Sequence, residues 1–297
     1  MSARSDPSLD RRRRRLALAA LGAAAVAAWP PRSRAARSQA MRVVSVGGSL
    51  TEIVYRLGAG ELLVGTDATS LYPPAAHTTP KVGYLRGLSA EGVLSLRPTV
   101  VIAGAEAGPP AVLEQLRAAG VRLVRVASGH GIEALLANVR TVAAAIERQE
   151  QGEQLVAALR AQWHDVQRRI VRDARAPRVL FVLGHAANNV QVSGLGTAAH
   201  ALIGAAGGVN ALTGFNGYRP LTAEAVVAAA PQAIVTTAQG VERFGGQAQL
   251  LALPGLALTP AGRAGRVLAR DALYLLGTGP RLPEATAELA RFLGTLA

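Results

Sequence analysis

A tyrosine in front of two prolines is the feature of this chain best suited to chemistry. Tyr72 precedes Pro73 and Pro74, and a turn with the sequence Gly83-Tyr84-Leu85-Arg86 follows shortly after. Proline disfavours a helical conformation in the residue before it, so Tyr72 is expected in an extended loop. A deprotonated phenol is a hard, anionic oxygen ligand that suits ferric iron. The pattern therefore allows a metal ligand at Tyr72, although a Tyr-Pro loop is also ordinary turn chemistry.

The amino-terminal segment predicts export from the cytoplasm. Residues 11–15 are consecutive arginines, and residues 16–28 form an uncharged apolar stretch. A transmembrane helix needs about 20 apolar residues, so this shorter stretch fits a secretory signal instead. We expect residues 1–40 to contain the signal peptide and its cleavage region, with the Sec and twin-arginine routes both open.

More than half of the net charge of +13 lies in that segment. Residues 1–40 hold nine arginines and two aspartates, which leaves +6 on residues 41–297. The remaining basic residues are scattered and not interleaved with aromatics, so a nucleic-acid role is excluded, whereas an anionic ligand fits the charge. The chain has no cysteine, which excludes disulfides and a lipid-anchoring cysteine. These features predict a soluble periplasmic protein without stable membrane insertion.

From residue 41 onward, short apolar runs alternate with amphipathic segments. Strands are predicted at residues 42–46, 62–66, 99–103, 121–126, 178–183 and 232–237. Helices are predicted at residues 50–57, 89–96, 109–119, 197–206, 223–230 and 283–296. Such alternation is typical of parallel sheets covered by helices. The predicted fold class is α/β, with two Rossmann-like lobes of parallel strands joined by one long backbone helix.

One segment interrupts the alternation. Residues 132–172 contain no proline and one glycine, Gly152, and their apolar residues recur at helical spacing. The segment is interpreted as one long helix or as two helices with a hinge near Gly152. The predicted domains are an amino-terminal lobe at 41–129, a linker helix at 130–176 and a carboxyl-terminal lobe at 177–297. A ligand is expected in the interlobe cleft, at the carboxyl ends of the strands.

The two halves of the chain contain one repeated pattern. Residues 88–102 and 221–235 each show a Ser or Thr cap, a first-turn glutamate, an apolar helix, a proline and a strand. The glutamates are Glu91 and Glu224. Each stabilises its helix start by about 0.3–1 kcal/mol in the simplest interpretation. Their equivalent positions on two lobes also fit a paired use, in which both carboxylates bind one symmetric partner.

Several motifs together resemble the heme-binding periplasmic proteins of bacterial hemin ABC importers. The motif residues are Val43, Ser45, Gly48, Ser49, Thr51 and Glu52, then Ser70-Leu71-Tyr72-Pro73, then Val82-Gly83-Tyr84-Leu85-Arg86 with Leu88, Ser89 and Glu91. Those proteins belong to a class with two lobes and a single connecting helix, which also carries siderophores and cobalamin. The likeness extends over residues 42–297. It implies a monomer that captures ferric heme and delivers it to an inner-membrane ABC permease dimer with its ATPase subunits.

The resemblance also implies roles for individual residues. It makes Tyr72 the heme iron ligand. A phenol has a pKa of about 10, so bound ferric iron and a nearby guanidinium must favour the phenolate. Arg86 and Arg219 are candidates for that guanidinium or for the heme propionates, which arginine binds with paired, charge-assisted hydrogen bonds. Glu91 and Glu224 would meet arginines on the two permease subunits.

Histidine is the other candidate ligand type. His185 follows a predicted strand of the carboxyl-terminal lobe, and some relatives pair a histidine from that lobe with the tyrosine, so it is the second candidate iron ligand. His77 and His130 are further candidates, because one lies near the tyrosine loop and the other precedes the linker helix. His164 and His200 fall within predicted helices and are interpreted as structural or exposed.

An enzymatic role fits the sequence poorly. Residues 47–51 lack the closing glycine of a serine-hydrolase elbow, and residues 194–199 lack the third glycine of a dinucleotide-binding loop. The five scattered histidines do not form the clusters of a metal hydrolase or of a zinc or manganese carrier. The alternative function is a siderophore- or cobalamin-binding periplasmic protein of the same class.

Overall fold

The computed structural model describes residues 40–171, 176–186 and 189–295. Apart from Ala40, the predicted signal peptide and cleavage region lie outside the described residues. Within the described ranges, no helix has both the length and the apolarity needed to cross a bilayer.

The amino-terminal lobe contains a parallel sheet and a small hairpin. Its strands are β1 (Val43–Val46), β2 (Leu63–Thr66), β3 (Gly83–Tyr84), β4 (Gly87–Leu88), β5 (Val100–Gly104) and β6 (Arg122–Val126). The sheet has the order β2-β1-β5-β6, and β3 pairs with β4 in the hairpin. Strand β1 is buried along its whole length, as expected of a central parallel strand covered on both faces. The four sheet strands predicted for this lobe are confirmed to within one residue at each end.

Helices of the amino-terminal lobe follow the sheet strands in alternation. They are α1 (Gly48–Arg56), α2 (Ala90–Ser95) and α3 (Pro110–Ala118). The chain enters α1 through Gly47, whose φ of 125° lies in a region that favours glycine. Helix α3 begins at a proline, which is favoured in the first turn.

The predicted linker contains two helices, α4 (Ile132–Ala145) and α5 (Gln149–Arg169). Glu147 lies between them with a φ of 58°, and this left-handed residue ends the hydrogen-bond ladder of α4. Of the two interpretations, two helices are observed, but the break lies at Glu147 and not near Gly152, and no single helix extends over residues 132–171. Gly152 lies inside α5 and serves packing, because a Cβ there would lie 2.5 Å from the Cβ of Ala143. The long helix of the fold is α5, with 21 residues.

A shared apolar core joins the lobes across these two helices. One continuous cluster of buried side chains includes Ile102 of β5, Leu136 of α4, Leu159 of α5 and, from the carboxyl-terminal lobe, Phe181 and Leu289. On the outer face of the pair, Arg140 Nε donates to Glu153 Oε1 at 2.7 Å. The lobes are therefore connected by packed side chains and not only by the chain itself.

The carboxyl-terminal lobe has a mixed sheet. Its strands are β7 (Arg178–Ala186), β8 (Asn189–Ser193), β9 (Val209–Asn210), β10 (Tyr218–Pro220), β11 (Ala233–Thr237) and β12 (Val267–Arg270). The order is β10-β8-β7-β11-β12, with β9 also paired to β7. The predicted two-lobed α/β class is confirmed, but the second sheet is mixed: β7 pairs in parallel with β9 and β11, and β11 with β12, whereas the pairs β7-β8 and β8-β10 are antiparallel. Strand β7 extends to Ala186, which places His185 within the strand and not in a loop after it.

Helices of the carboxyl-terminal lobe are shorter and more numerous than the sequence indicates. They are α6 (Ala198–Ala205), α7 (Ala223–Ala229), α8 (Ala238–Phe244), α9 (Gln247–Leu251), α10 (Pro260–Arg263), α11 (Ala272–Leu276) and α12 (Leu282–Gly294). The predictions of α6, α7 and α12 are confirmed. The helices from α8 to α11 are not predicted, because four to seven residues give too few turns for a periodic pattern.

Candidate ligand cavity between the lobes

A cavity of about 610 Å³ lies between the two lobes. Its lining includes Gly47 after β1, Ser128 after β6 and Thr237 at the end of β11. In α/β folds, ligands bind at the carboxyl ends of parallel strands, and ligand cavities are typically about 300–1,000 Å³. The cavity therefore lies where the sequence predicts a ligand site.

Two large apolar side chains face this cavity from the amino-terminal lobe. Leu71 follows β2 and Tyr84 belongs to β3, and their exposed fractions are 44% and 50%. The Ala68 N–H donates to the Gly83 carbonyl at 2.8 Å, which holds the two segments side by side. We call Leu71 and Tyr84 the apolar wall. Exposed apolar side chains in a concave site are typical of ligand contacts.

A buried carboxylate organises the loop after β2. Asp67 is fully buried. Its oxygens accept four hydrogen bonds, from the N–H groups of Gly47 at 2.9 Å and Thr69 at 3.0 Å and from the hydroxyls of Thr69 at 2.6 Å and Ser70 at 2.8 Å. These donors compensate the burial of the charge. The loop is therefore fixed by its own side chains.

The one lysine of the chain braces the same loop. Lys81 stands beside 31 arginines in the sequence. Its Nζ donates to Thr66 Oγ1 at 2.9 Å and to the carbonyls of Ser70 at 3.0 Å and Ala76 at 2.9 Å. Burial lowers the pKa of the Lys81 ammonium. Because the two carbonyls lie on either side of Tyr72 in the chain, one ammonium group ties both ends of the segment that carries it.

Tyr72 lies beside the cavity and is accessible. Its side chain is 39% exposed. Its neighbour Leu71 lines the cavity, whereas Tyr72 is not among the lining residues. The guanidinium carbon of Arg281 lies 3.8 Å from the centroid of the Tyr72 ring, a cation–π contact. The phenol is therefore not part of a packed core, but its ring has to turn away from Arg281 to enter the cavity.

Arg281 connects the two lobes through an ion pair that the sequence does not predict. It precedes α12, and its Nε lies 3.1 Å from each carboxylate oxygen of Glu52 on α1. The exposed fractions of the two side chains are 14% for Arg281 and 2% for Glu52. Burial raises the pKa of Glu52, and the Arg281 charge opposes that rise. Among the described residues, the buried Nη2 of Arg281 has no hydrogen-bond partner.

The carboxyl-terminal wall carries polar side chains from two short helices and their termini. Gln239 and Arg243 of α8 and Asp271, which precedes α11, line the cavity. Gln239 Nε2 donates to Asp271 Oδ2 at 2.7 Å, and Gln239 Oε1 accepts from the Ala272 N–H at 3.1 Å. Arg243, in the last turn of α8, adds a cation to this wall.

The two predicted arginines lie outside the lining. Arg86 forms an ion pair with Glu106, a cavity residue, and both side chains are well exposed. The hydrogen bond to Glu106 raises the pKa of Arg86. Arg219 lies on β10, and its guanidinium carbon is 5.0 Å from the Phe215 ring centroid. The structure therefore places Arg86 at the rim of the cavity and Arg219 away from its lining.

The predicted histidines are spread over the molecule. His130 lines the cavity in the loop after β6. His77 is exposed in the short 3-10 helix Pro74–Thr78, while His164 and His200 lie on α5 and α6. The side chain of His185 falls outside the described part of the chain. Within that part, no group of three or more His, Cys, Asp or Glu residues is arranged to hold a metal ion.

The paired glutamates occupy equivalent places on the two lobes. Glu91 and Glu224 are exposed in the first turns of α2 and α7. Ser89 Oγ accepts from the Gly92 N–H at 3.2 Å, and Thr222 Oγ1 accepts from the Ala225 N–H at 3.3 Å. Both predicted caps are confirmed.

Two signals in the sequence point to residues near the cavity for which no role was predicted. Glu52 falls among the apolar positions of α1, beside Leu50 and Ile53, and a buried carboxylate requires a partner. Lys81 is conspicuous as the only lysine in an arginine-rich chain. Arg243 and Arg281 carry no comparable local signal.

Two α/β lobes with a cavity at the strand ends define a two-lobed binding protein. The profile of the periplasmic binding protein family matches residues 43–273, and the chain belongs to this family. The family match and the similar structures below are of binding proteins, which confirms the prediction that the chain is not an enzyme.

Similar proteins narrow the class further. The periplasmic heme-binding protein RhuT from Roseiflexus sp. RS-1, in its apo form, is 42% identical with a TM-score of 0.83, over 86% of this chain and 99% of RhuT. The periplasmic heme-binding protein BhuT, in complex with two hemes, is 46% identical with a TM-score of 0.82, over the same shares of the two chains. A vitamin B12-binding protein of Vibrio campbellii (strain ATCC BAA-1116) is 31% identical over 127 residues, which is 43% of this chain and 46% of that protein.

Proposed function

We propose that this chain is a periplasmic binding protein that captures heme between its lobes and delivers it to an ABC importer. The observation that carries the proposal is the position of the Tyr72 loop, which borders the cavity and is braced by Asp67 and Lys81. The likeness to two heme-binding proteins over 86% of the chain supports heme as the ligand.

Tyr72 is the proposed ligand of ferric heme iron. Its phenol is accessible, and its neighbour Leu71 already contacts the cavity. Ferric iron favours the phenolate form of tyrosine, which is a known mode of heme ligation. Because the ring is stacked under Arg281, ligation requires a rotation of the Tyr72 side chain toward the cavity.

Cationic and imidazole groups around the cavity complete the proposed site. Arg243 in the lining and Arg86 at the rim are the candidates for the heme propionates, so Arg243 takes the place expected for Arg219. Arginine binds a carboxylate through paired, charge-assisted hydrogen bonds. His185 stays the proposed second iron ligand, and His130 is the histidine that the described lining offers.

The exposed glutamates are the proposed contact with the importer. Glu91 and Glu224 have the same local geometry on two lobes, so a permease dimer could engage both carboxylates through equivalent arginines. Delivery in this form implies a monomeric carrier in the periplasm, exported by the signal within residues 1–40, and a permease dimer driven by ATPase subunits.

A cobalamin carrier is the second candidate. The similarity of part of the chain to a vitamin B12-binding protein favours it. That similarity covers 43% of this chain, whereas the heme-binding structures cover 86%. Heme is therefore the ligand that the comparisons support over the greater length.

Absorption spectra of the purified protein test the proposal. Titration with hemin is expected to shift the Soret band and to produce the charge-transfer bands of a ferric phenolate complex. Tyr72→Phe should abolish those bands and weaken hemin binding by at least about 100-fold, because residues that only support a metal ligand already contribute about 10–100-fold.

Tyr55→Phe is the matched control, because Tyr55 packs against Gly60 at the end of α1, outside the cavity lining. This variant should bind hemin like the unmodified protein. Tight binding of cyanocobalamin without any response to hemin would replace the heme assignment with the second candidate.

A further inference from the structure

Arg281 is anchored between the two lobes by residues outside the cavity lining. Its Nε donates to both carboxylate oxygens of Glu52 at 3.1 Å. On the carboxyl-terminal side, its guanidinium carbon lies 5.2 Å from the centroid of the Tyr274 ring. Within the described ranges, its buried Nη2 has no hydrogen-bond partner. The guanidinium is therefore fixed in a buried place where its hydrogen bonds are incomplete.

The Tyr72 ring covers this guanidinium from the amino-terminal side. The guanidinium carbon lies 3.8 Å from the centroid of that ring, and a cation–π contact becomes stronger when the cation is removed from water. Tyr72 is the more exposed partner, with 39% of its surface accessible, compared with 14% of the Arg281 side chain. Because Glu52 and Tyr274 also hold Arg281, Tyr72 is the partner that can leave the stack.

The stacked position of Tyr72 excludes iron ligation. Leu71 lines the cavity, whereas Tyr72 does not, so one phenol has two alternative places, under Arg281 or toward the cavity. A ligand that needs a conformation populated only in part binds more weakly in proportion to that population. The strength of the stack therefore enters directly into the affinity for any ligand that Tyr72 coordinates.

We infer that Arg281 is a positioning residue that competes with ferric iron for Tyr72 and thereby moderates the affinity for heme. The inference rests on the proposed function, because it requires Tyr72 to ligate the iron. A carrier has to release its ligand as well as capture it. A second place for the tyrosine, outside the cavity lining, lowers the free energy needed for that release.

A double-mutant cycle between Arg281 and Tyr72 tests this competition. Arg281→Met should tighten hemin binding by about threefold to thirtyfold, the range that corresponds to a partly or fully desolvated cation–π contact. In the Tyr72→Phe background the same substitution should give no gain, because the ring then carries no ligand oxygen. Soret titrations measure the four dissociation constants. The ratio of the two effects is the readout, since a general change of the cavity alters both alike.

Two further variants support the cycle. Arg281→Met leaves the buried Glu52 carboxylate without its partner, so Glu52→Gln combined with Arg281→Met replaces it if the single variant does not fold, with the same expected gain. Arg140→Met is the matched control for the loss of one cation, because Arg140 pairs with Glu153 outside the cavity lining. It should leave the hemin affinity unchanged in both backgrounds.

The direction of the Arg281 effect distinguishes the competition from other roles. Equal changes with and without Tyr72→Phe would overturn the inference, because Arg281 would then act only on the shape of the cavity. Weaker hemin binding that is confined to the background with Tyr72 would also overturn it, since the guanidinium would then support the bound phenolate. In both cases the heme assignment stands. Failure of the unmodified protein to bind hemin would contradict the proposed function and this inference together.

Discussion

The two lobes contain the same helix–strand unit but reach the cavity by different means. In the amino-terminal lobe, Leu71 extends from a loop braced by the buried carboxylate of Asp67 and the ammonium of Lys81, and Tyr84 extends from the short strand β3. In the carboxyl-terminal lobe, Gln239 and Asp271 sit at the beginnings of short helices and share a hydrogen bond, and Arg243 lies in the last turn of α8.

This difference assigns separate tasks to the two walls. Side chains on a loop with several buried hydrogen bonds hold their position before a ligand arrives, and such preorganisation suits metal coordination. The carboxyl-terminal wall offers a cation, Arg243, together with the hydrogen-bonded pair of Gln239 and Asp271. The repeated unit, in contrast, places Glu91 and Glu224 on the outer surface in matching positions. The shared part of the lobes faces the proposed partner, and the divergent part faces the ligand.

The largest effect on stability is expected at the buried ion pair of Arg281 with Glu52, which joins the two lobes. Arg281→Met leaves the buried carboxylate of Glu52 without its partner, and removal of one partner of a buried ion pair costs about 3–5 kcal/mol. The free energy of unfolding in urea measures the loss. The variant also removes the cation over the Tyr72 ring, so it should free the phenol for iron.

A double variant makes this test specific to the ion pair. Glu52→Gln combined with Arg281→Met should recover part of the lost stability, because no unpaired charge stays buried. Arg140→Met removes one partner of an exposed pair with Glu153 and should change the stability little. Equal losses of unfolding free energy in Arg281→Met and Arg140→Met would show that the buried interlobe ion pair stabilises the protein no more than the exposed pair.

A smaller effect is expected from the brace of the amino-terminal loop. Lys81→Met leaves the carbonyls of Ser70 and Ala76 without their shared donor, and a hydrogen bond of this kind contributes about 1 kcal/mol. The free energy of hemin binding should fall by more than the free energy of unfolding, because the loop then holds Tyr72 less firmly. Lys81→Arg should rescue neither property fully, since a planar guanidinium does not reproduce three divergent donors on one nitrogen.

Thermal unfolding and hemin titration of the two Lys81 variants measure both quantities. Arg56→Met is the control for the loss of a cation, because Arg56 is exposed at the end of α1 and outside the cavity lining. If Lys81→Met binds hemin as tightly as Arg56→Met, the loop does not depend on its lysine.

The sequence predicts the elements whose signals are local. The caps at Ser89 and Thr222 and the strands of the amino-terminal sheet depend on a few neighbouring residues, and they are confirmed. The helix break at Glu147 involves neither glycine nor proline, so no local pattern marks it.

Other features depend on residues that are distant in the chain. The ion pair of Arg281 with Glu52 joins positions 229 residues apart. The antiparallel β7-β8 pairing is local and was missed for another reason, because the glycine and asparagine residues of this segment suggest a loop. The location of the cavity was predictable because topology determines where strand ends meet, but the side chains that line it were not.

The smallest effect on the isolated protein is expected at the paired glutamates, and it gives the sharpest comparison of the lobes. Glu91→Lys and Glu224→Lys each reverse a charge in an exposed first turn, where the helix dipole contributes only about 0.3–1 kcal/mol. Stability and hemin affinity should therefore stay nearly unchanged in both variants, whereas heme-dependent growth of cells that need this importer should fall. If a permease dimer engages both lobes equivalently, the two reversals should impair uptake to a similar degree, and the double reversal should abolish it. Impaired uptake in only one single variant would mean that the two lobes have equivalent helices but that only one of them contacts the permease through its glutamate. Normal uptake in the double variant would show that the glutamates are not part of the docking surface.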